Sequence, residues 1–139
     1  MVCIYCGQDT EVYNSRAKAR TPSIWRRRRC IACVAQFTTL ELPDYSSALL
    51  VRGHSDQLVN FSRDKLFLSL YRALGHRADA LESATELTGT VIGKLLRTQS
   101  VPDGVLALGA ISRFAHHALK RYDNLAAQTY LAYHQDSIS

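Results

Sequence analysis

Cys3-Ile4-Tyr5-Cys6 and Arg26-Arg27-Arg28-Arg29-Cys30-Ile31-Ala32-Cys33 are the two stretches from which the fold is read. Each ends in or consists of a Cys-x-x-Cys pair, and 23 residues separate the pairs. A two-residue gap lets both thiols of one turn face a single ion, so two such turns supply four thiolates for a tetrahedral zinc site. A disulfide framework needs a secretory context, whereas Met1-Val2-Cys3 begins the motif at once, so no signal segment is expected. A thioredoxin-like redox site uses one such pair beside a βαβ pattern, and that pattern is absent. The gap slightly exceeds the usual window of about 15–20 residues, which ribbon hairpins of variable length accommodate. The expectation is one structural Zn²⁺ on Cys3, Cys6, Cys30 and Cys33. Four thiolates leave no open position for a catalytic water.

Working outward, the chain has 139 residues, room for one ordinary domain or two small ones. Hydrophobic residues make up 47 %, enough for most of the chain to fold, and the apolar runs are too short to span a bilayer. With reduced thiols, the expected compartment is intracellular. Net charge is +5, from 17 basic and 12 acidic residues. The excess is densest between Arg16 and Arg29, inside the cysteine segment.

Residues 1–40 are too few to build a core of their own and need the metal to fold. Val12-Tyr13 and Phe37-Thr38-Thr39-Leu40 suit ribbon strands, and Pro43-Asp44 marks a break. Residues 46–139 read differently. Ala48–Arg52 and Leu58–Phe61 predict a β-hairpin across the turn-like residues 53–56. Leu66, Leu70 and Leu74 repeat at helical spacing, with Ser62 or Asn60 as cap and Gly75 as stop. A second helix is predicted from Asp79 to Arg97 with Leu81, Leu87, Val91, Leu95 and Leu96 inward. Ser100-Val101-Pro102 breaks it. Asp103 then looks like the N-cap of a third helix, with Leu106, Ala110, Phe114 and Ala118 inward, and Asn124 starts a fourth. The tail after Gln135 is polar. The fold class is α+β: a four-cysteine ribbon of small antiparallel β, then a hairpin with about four helices. Walker, H-E-x-x-H and Ser-His-Asp patterns are missing, which argues against an enzyme.

Against a solvated basic loop, the ribbon context makes Arg26, Arg27, Arg28 and Arg29 a nucleic-acid footprint. Such side chains hold phosphates, and one or two reach guanine edges. Alternation along a strand sends them to two faces, so about half are expected to touch DNA. Arg16, Lys18 and Arg20 extend the patch. Trp25 has two uses, stacking on a base or capping the ribbon's small core, and the core is the expected one. His116-His117 point about 100° apart on a helix, so they do not chelate one ion; one is expected to face solvent.

The residues together resemble the NrdR repressors, bacterial regulators of ribonucleotide reductase operons. Cys3-Ile4-Tyr5-Cys6-Gly7, Val12-Tyr13-Asn14-Ser15-Arg16, Arg26 to Cys33 and Phe37-Thr38-Thr39-Leu40-Glu41 look like that family's zinc ribbon. Asp64-Lys65-Leu66, Arg72-Ala73-Leu74 with Arg77, Val101-Pro102 with Leu108-Gly109, and Tyr122-Asp123 with Tyr130 follow the order of its ATP-cone. The chain departs from the pattern at Asn14, where an acid is usual, and at Trp25, where a further arginine is frequent. It departs again in the hairpin, at Val51-Arg52-Gly53-His54 and Asn60-Phe61-Ser62.

The resemblance implies that residues 1–45 bind double-stranded DNA boxes of reductase promoters. It implies that residues 46–139 bind ATP and dATP, which set the homo-oligomeric state. It places Val51, Arg52, Gly53, Lys65 and Tyr130 at the nucleotide, with Lys65 on a phosphate and Arg52 as a fork donor. Lys65 otherwise reads as an exposed first-turn lysine, and Tyr130 as core. The location implied is the bacterial cytoplasm, at the nucleoid, away from membranes. Two other classes remain open at this stage. A zinc-ribbon accessory of an RNA machine or polymerase, with a degenerate nucleotide domain, fits the ribbon and patch alone. A reductase-associated module fits the cone, although the chain has no cysteine outside the zinc site to serve catalysis.

Overall fold

Three short strands organise the cysteine segment. In the computed structural model, which describes residues 1–19, 22–98 and 103–138, strand β1 spans Thr10–Ala17, β2 Ile24–Cys30 and β3 Gln36–Glu41. They pair antiparallel in the order β1-β2-β3. The arginine run is therefore the central strand, with β1 and β3 on its flanks. The register shifts once, between Val12 and Asn14, which leaves Tyr13 as an extra residue on β1.

The chain separates into two compact units, Met1–Asp44 and Tyr45–Ser139. The second opens with a one-turn helix, α1 (Tyr45–Ala48), where the sequence had suggested strand from Ala48. Strands β4 (Leu50–Arg52) and β5 (Leu58–Asn60) then form the expected hairpin. Four helices follow: α2 (Arg63–Ala73), α3 (Ala80–Thr98), α4 (Leu108–Tyr122) and α5 (Asn124–Ile138). Ser62 caps α2 by accepting from the Lys65 amide at 3.2 Å.

Two expectations are corrected. Asp103 does not cap a helix: its carboxylate accepts from the Val105 amide at 3.3 Å. A third strand, β6 (Val105–Ala107), comes between, and it lies parallel to β4 in the order β5-β4-β6. Helix α4 starts only at Leu108, with no side-chain cap on Ala107. A crowded turn makes the parallel pairing possible. Gly104 has φ +71°, its carbonyl accepts from the Leu50 amide at 2.8 Å, and a Cβ there would lie 2.9 Å from the Ala48 carbonyl oxygen. Leu81 is the second correction, since it is 57 % exposed. The buried stripe of α3 runs instead through Ala80, Ser83, Ala84, Thr88, Val91, Ile92 and Leu95. Thr88 satisfies its buried hydroxyl on the Ala84 carbonyl at 2.6 Å.

The core of the second unit is aliphatic. Leu70, Leu74, Val91, Leu95, Leu106 and Leu119 are each under 2 % exposed. Leu106 on β6 joins this core under the sheet, so burying it is worth about 2 kcal/mol. Arg20 and the break at Ser100-Val101-Pro102 lie outside the described residues.

Candidate metal centre, nucleic-acid surface and nucleotide cavity

The two cysteine turns are built alike. The Cys3 amide donates to the Gln8 carbonyl at 2.7 Å, and the Cys30 amide to the Ala35 carbonyl at 2.9 Å. The residue after each second cysteine has a left-handed backbone: Gly7 at φ +74° and Val34 at φ +60°. Within each turn an amide donates to the first sulfur, Tyr5 to Cys3 Sγ and Cys33 to Cys30 Sγ, both at 3.4 Å. The turns bring all four Sγ atoms within 4.8 Å of one another. Cys3 and Cys33 stand 3.7 Å apart, and Cys6 and Cys30 3.5 Å. A tetrahedron with Zn–S bonds of about 2.3 Å has edges of about 3.8 Å, so the donor set fits a structural zinc.

The sulfurs cannot all carry charge alone. The Cys33 amide, with help from Cys6, draws the Cys30 thiol down to about 6, against burial. The Ala35 amide favours the Cys33 thiolate, yet neighbouring Cys6 and Cys30 and burial push that thiol up to about 12. A divalent cation at the centre removes this conflict, because each thiolate then faces positive charge.

The arginine strand runs directly into Cys30, and pleating sorts its side chains. Trp25, Arg27 and Arg29 are exposed, while Ile24, Arg26 and Arg28 are half-buried. Two of the four guanidiniums are held in ion pairs inside the ribbon. Arg26 Nε meets Glu41 at 3.0 Å, and Arg29 meets Glu11 at 2.7 Å. Arg28 donates to Thr10 at 3.3 Å, and its buried Nε has no partner among the described residues. Arg16 and Arg27 make no ion pair or hydrogen bond of their side chains among the described residues. Cross-strand pairing sets Arg16 beside Trp25, and Asn14 and Thr38 beside Arg27. These residues and Lys18 line a cavity of about 560 Å³. Trp25 is 50 % exposed, which corrects its expected place in a ribbon core.

In the second unit, Val51, Lys65 and Tyr130 line one cavity of about 270 Å³. That is just below the usual range of small-ligand pockets. Lys65 and Ser62 bring the α2 N-terminus to its wall, where amide dipoles and an ammonium favour an anion. Tyr130 is buried and stacks on His134 with centroids 4.2 Å apart. Burial raises its phenol, opposed by hydrogen bonds with Ser112 and Ser69. Burial, then Arg72, lowers His134. Arg52 and Gly53 are not among the lining residues, and Arg52 is tied to Asp56 at 2.9 Å across the hairpin turn.

Asn60, Ser112 and His134 line the cavity and escaped the sequence reading. Ser112 left a signal there, a hydroxyl on the otherwise apolar stripe of α4. Of the other aromatics, Tyr122 and Tyr133 are exposed, and of the histidine pair His116 is half-buried and His117 exposed.

A polar junction holds the helices beneath. Arg77 binds Asp79 at 2.8 and 3.0 Å and Asp123 at 3.2 Å, with its guanidinium 5.0 Å from the Tyr122 ring centre. Tyr122 reaches Ser83 at 2.7 Å, and His76 reaches Asp123 at 3.0 Å. Asp123 also caps α5 through the Ala126 amide at 3.0 Å. Arg77 and Tyr122-Asp123, far apart in sequence, thus meet in one network.

Known proteins are similar to this chain in sequence. The family description "Transcriptional repressor NrdR-like, N-terminal domain" matches residues 1–41. The chain is 31% identical over 127 residues to the transcriptional repressor NrdR of Polynucleobacter necessarius subsp. necessarius (strain STIR1), covering 91% of this chain and 83% of the relative. It is 33% identical over 140 residues to the protein of the same name from Rhizobium rhizogenes, covering 98% of this chain and 84% of the relative. It is 30% identical over 137 residues to that of Phenylobacterium zucineum, covering 98% and 86%. Ribbon, sheet-and-helix unit and identity along nearly the whole length agree, and the chain belongs to the family of NrdR transcriptional repressors.

Proposed function

We propose that this protein is a zinc-dependent transcriptional repressor of ribonucleotide reductase operons in the bacterial cytoplasm. One Zn²⁺ on Cys3, Cys6, Cys30 and Cys33 shapes a ribbon that binds promoter DNA, using Arg16 and Arg27 first and Lys18 and the other strand arginines in support. ATP and dATP bind in the second unit, with Lys65 against a phosphate and Tyr130 beside the base. Each nucleotide favours a different homo-oligomer, and only some assemblies align several ribbons with paired boxes. Weak contacts by single ribbons then add through effective concentration.

The observation that carries this reading is the placement of Arg16 and Arg27, unpaired among the described residues, on the adjacent strands β1 and β2, the second of which ends in a zinc-competent cysteine cluster. Lys65 beside a capped helix N-terminus supports the nucleotide part. Fluorescence anisotropy of a labelled reductase-promoter duplex tests both. The zinc-loaded chain is expected to bind with nanomolar to micromolar affinity, changed at least several-fold between ATP and dATP. Equal affinity and equal assembly size in both nucleotides refutes the sensing role.

A further inference from the structure

Trp25 is the chain's single tryptophan, and it stands half-exposed on β2. An indole this bare forgoes a large part of its burial energy, so the ribbon does not use it as core. Its surroundings are of two kinds. Across the strands lie Arg16 on one side and Leu40, itself 46 % exposed, on the other. Two residues along the strand, on the same face, is Arg27. Arg26 and Arg29 are neutralised by Glu41 and Glu11, whereas Arg16 and Arg27 have no such partner among the described residues. One cavity of about 560 Å³ connects Arg16, Trp25 and Arg27.

An apolar plate beside two guanidiniums that are unpaired among the described residues matches the groove of duplex DNA, where phosphates flank a strip of sugars and base edges. The geometry points to Trp25 as a DNA-contacting residue, its indole packed on sugar and base edges between phosphates held by Arg16 and Arg27. This rests on the DNA-binding reading above. The contact is apolar, so it adds affinity without releasing counterions. Arg16 and Arg27 supply the salt-dependent part.

The single tryptophan makes the test direct. Zinc-loaded full chain is titrated with the labelled reductase-promoter duplex, and anisotropy and tryptophan emission are read together. At saturation the emission is expected to be quenched or blue-shifted. Trp25→Ala is expected to lose about tenfold in affinity at every salt concentration, with Trp25→Phe keeping most of it. The slope of log K against log salt stays the same in Trp25→Ala. It becomes shallower by about 0.9 in Arg27→Ala and steeper by a similar amount in Trp25→Arg. Binding with unaltered emission overturns the proposal and leaves the DNA reading standing. An emission change with single strands alone overturns the choice of duplex. Failure to bind DNA at all overturns both.

Discussion

Val34 is the residue at which the two cysteine turns differ most. Its counterpart Gly7 takes φ +74° freely, but Val34 holds φ +60° with a β-branched side chain that is 65 % exposed. A left-handed backbone costs an L-residue roughly 1–2 kcal/mol. Glycine gives back about 0.5–1 kcal/mol of that through its freer unfolded chain. Val34→Gly is therefore expected to tighten zinc retention a few-fold, read by competition with a chromogenic chelator, because zinc binding and ribbon folding are one equilibrium. Weaker retention in the variant contradicts this account of the turn. Residue identities alone pointed to the four cysteines, because Cys-x-x-Cys spacing encodes chelation locally. They did not reveal which arginines are free. That depends on Glu11 and Glu41, which reach β2 only through strand pairing.

At the scale of elements, the long helices were readable because their apolar residues repeat over several turns. Strand β6 was not: three residues carry no period, and Leu106 falls in step with Ala110 as if both belonged to one helix. The candidate nucleotide cavity was half-readable for a related reason. Lys65 and Tyr130 meet Val51 there, but Ser112 and His134 arrive from α4 and α5, and Arg52 is held off by Asp56.

The junction of α2–α3 with α4–α5 makes a prediction about acid. Arg77 holds Asp79 at about 2, and the Ala126 amide with His76 does the same for Asp123. Both lie below the unfolded value of about 3.9, so between these values the unfolded chain binds more protons. The stability they contribute is present above about pH 4 and lost as pH falls toward 2. Asp123→Asn keeps a capping oxygen for α5 but removes the charge. Its melting temperature is expected to be lower at pH 7 and to fall less steeply on acidification, followed by circular dichroism at 222 nm. Parallel curves for variant and parent rule out this junction as a source of acid lability.

Over the whole molecule, the division of labour is a metal-built sheet that carries the charge and a helical unit that carries the core. The ribbon presents few free contacts, Arg16, Arg27 and Trp25 among them, and a footprint that small binds tightly only when several copies act together. On the function proposed above, control belongs to whatever sets the number of copies, and a ligand in the cavity lined by Lys65 and Tyr130 would do so. The most direct test is native mass spectrometry of the full chain in ATP and then in dATP, which reports metal, nucleotide and subunit number in one spectrum. The account predicts one zinc per chain, bound nucleotide, and assemblies of different size in the two nucleotides. A folded chain without zinc, or the same assembly in both nucleotides, contradicts it.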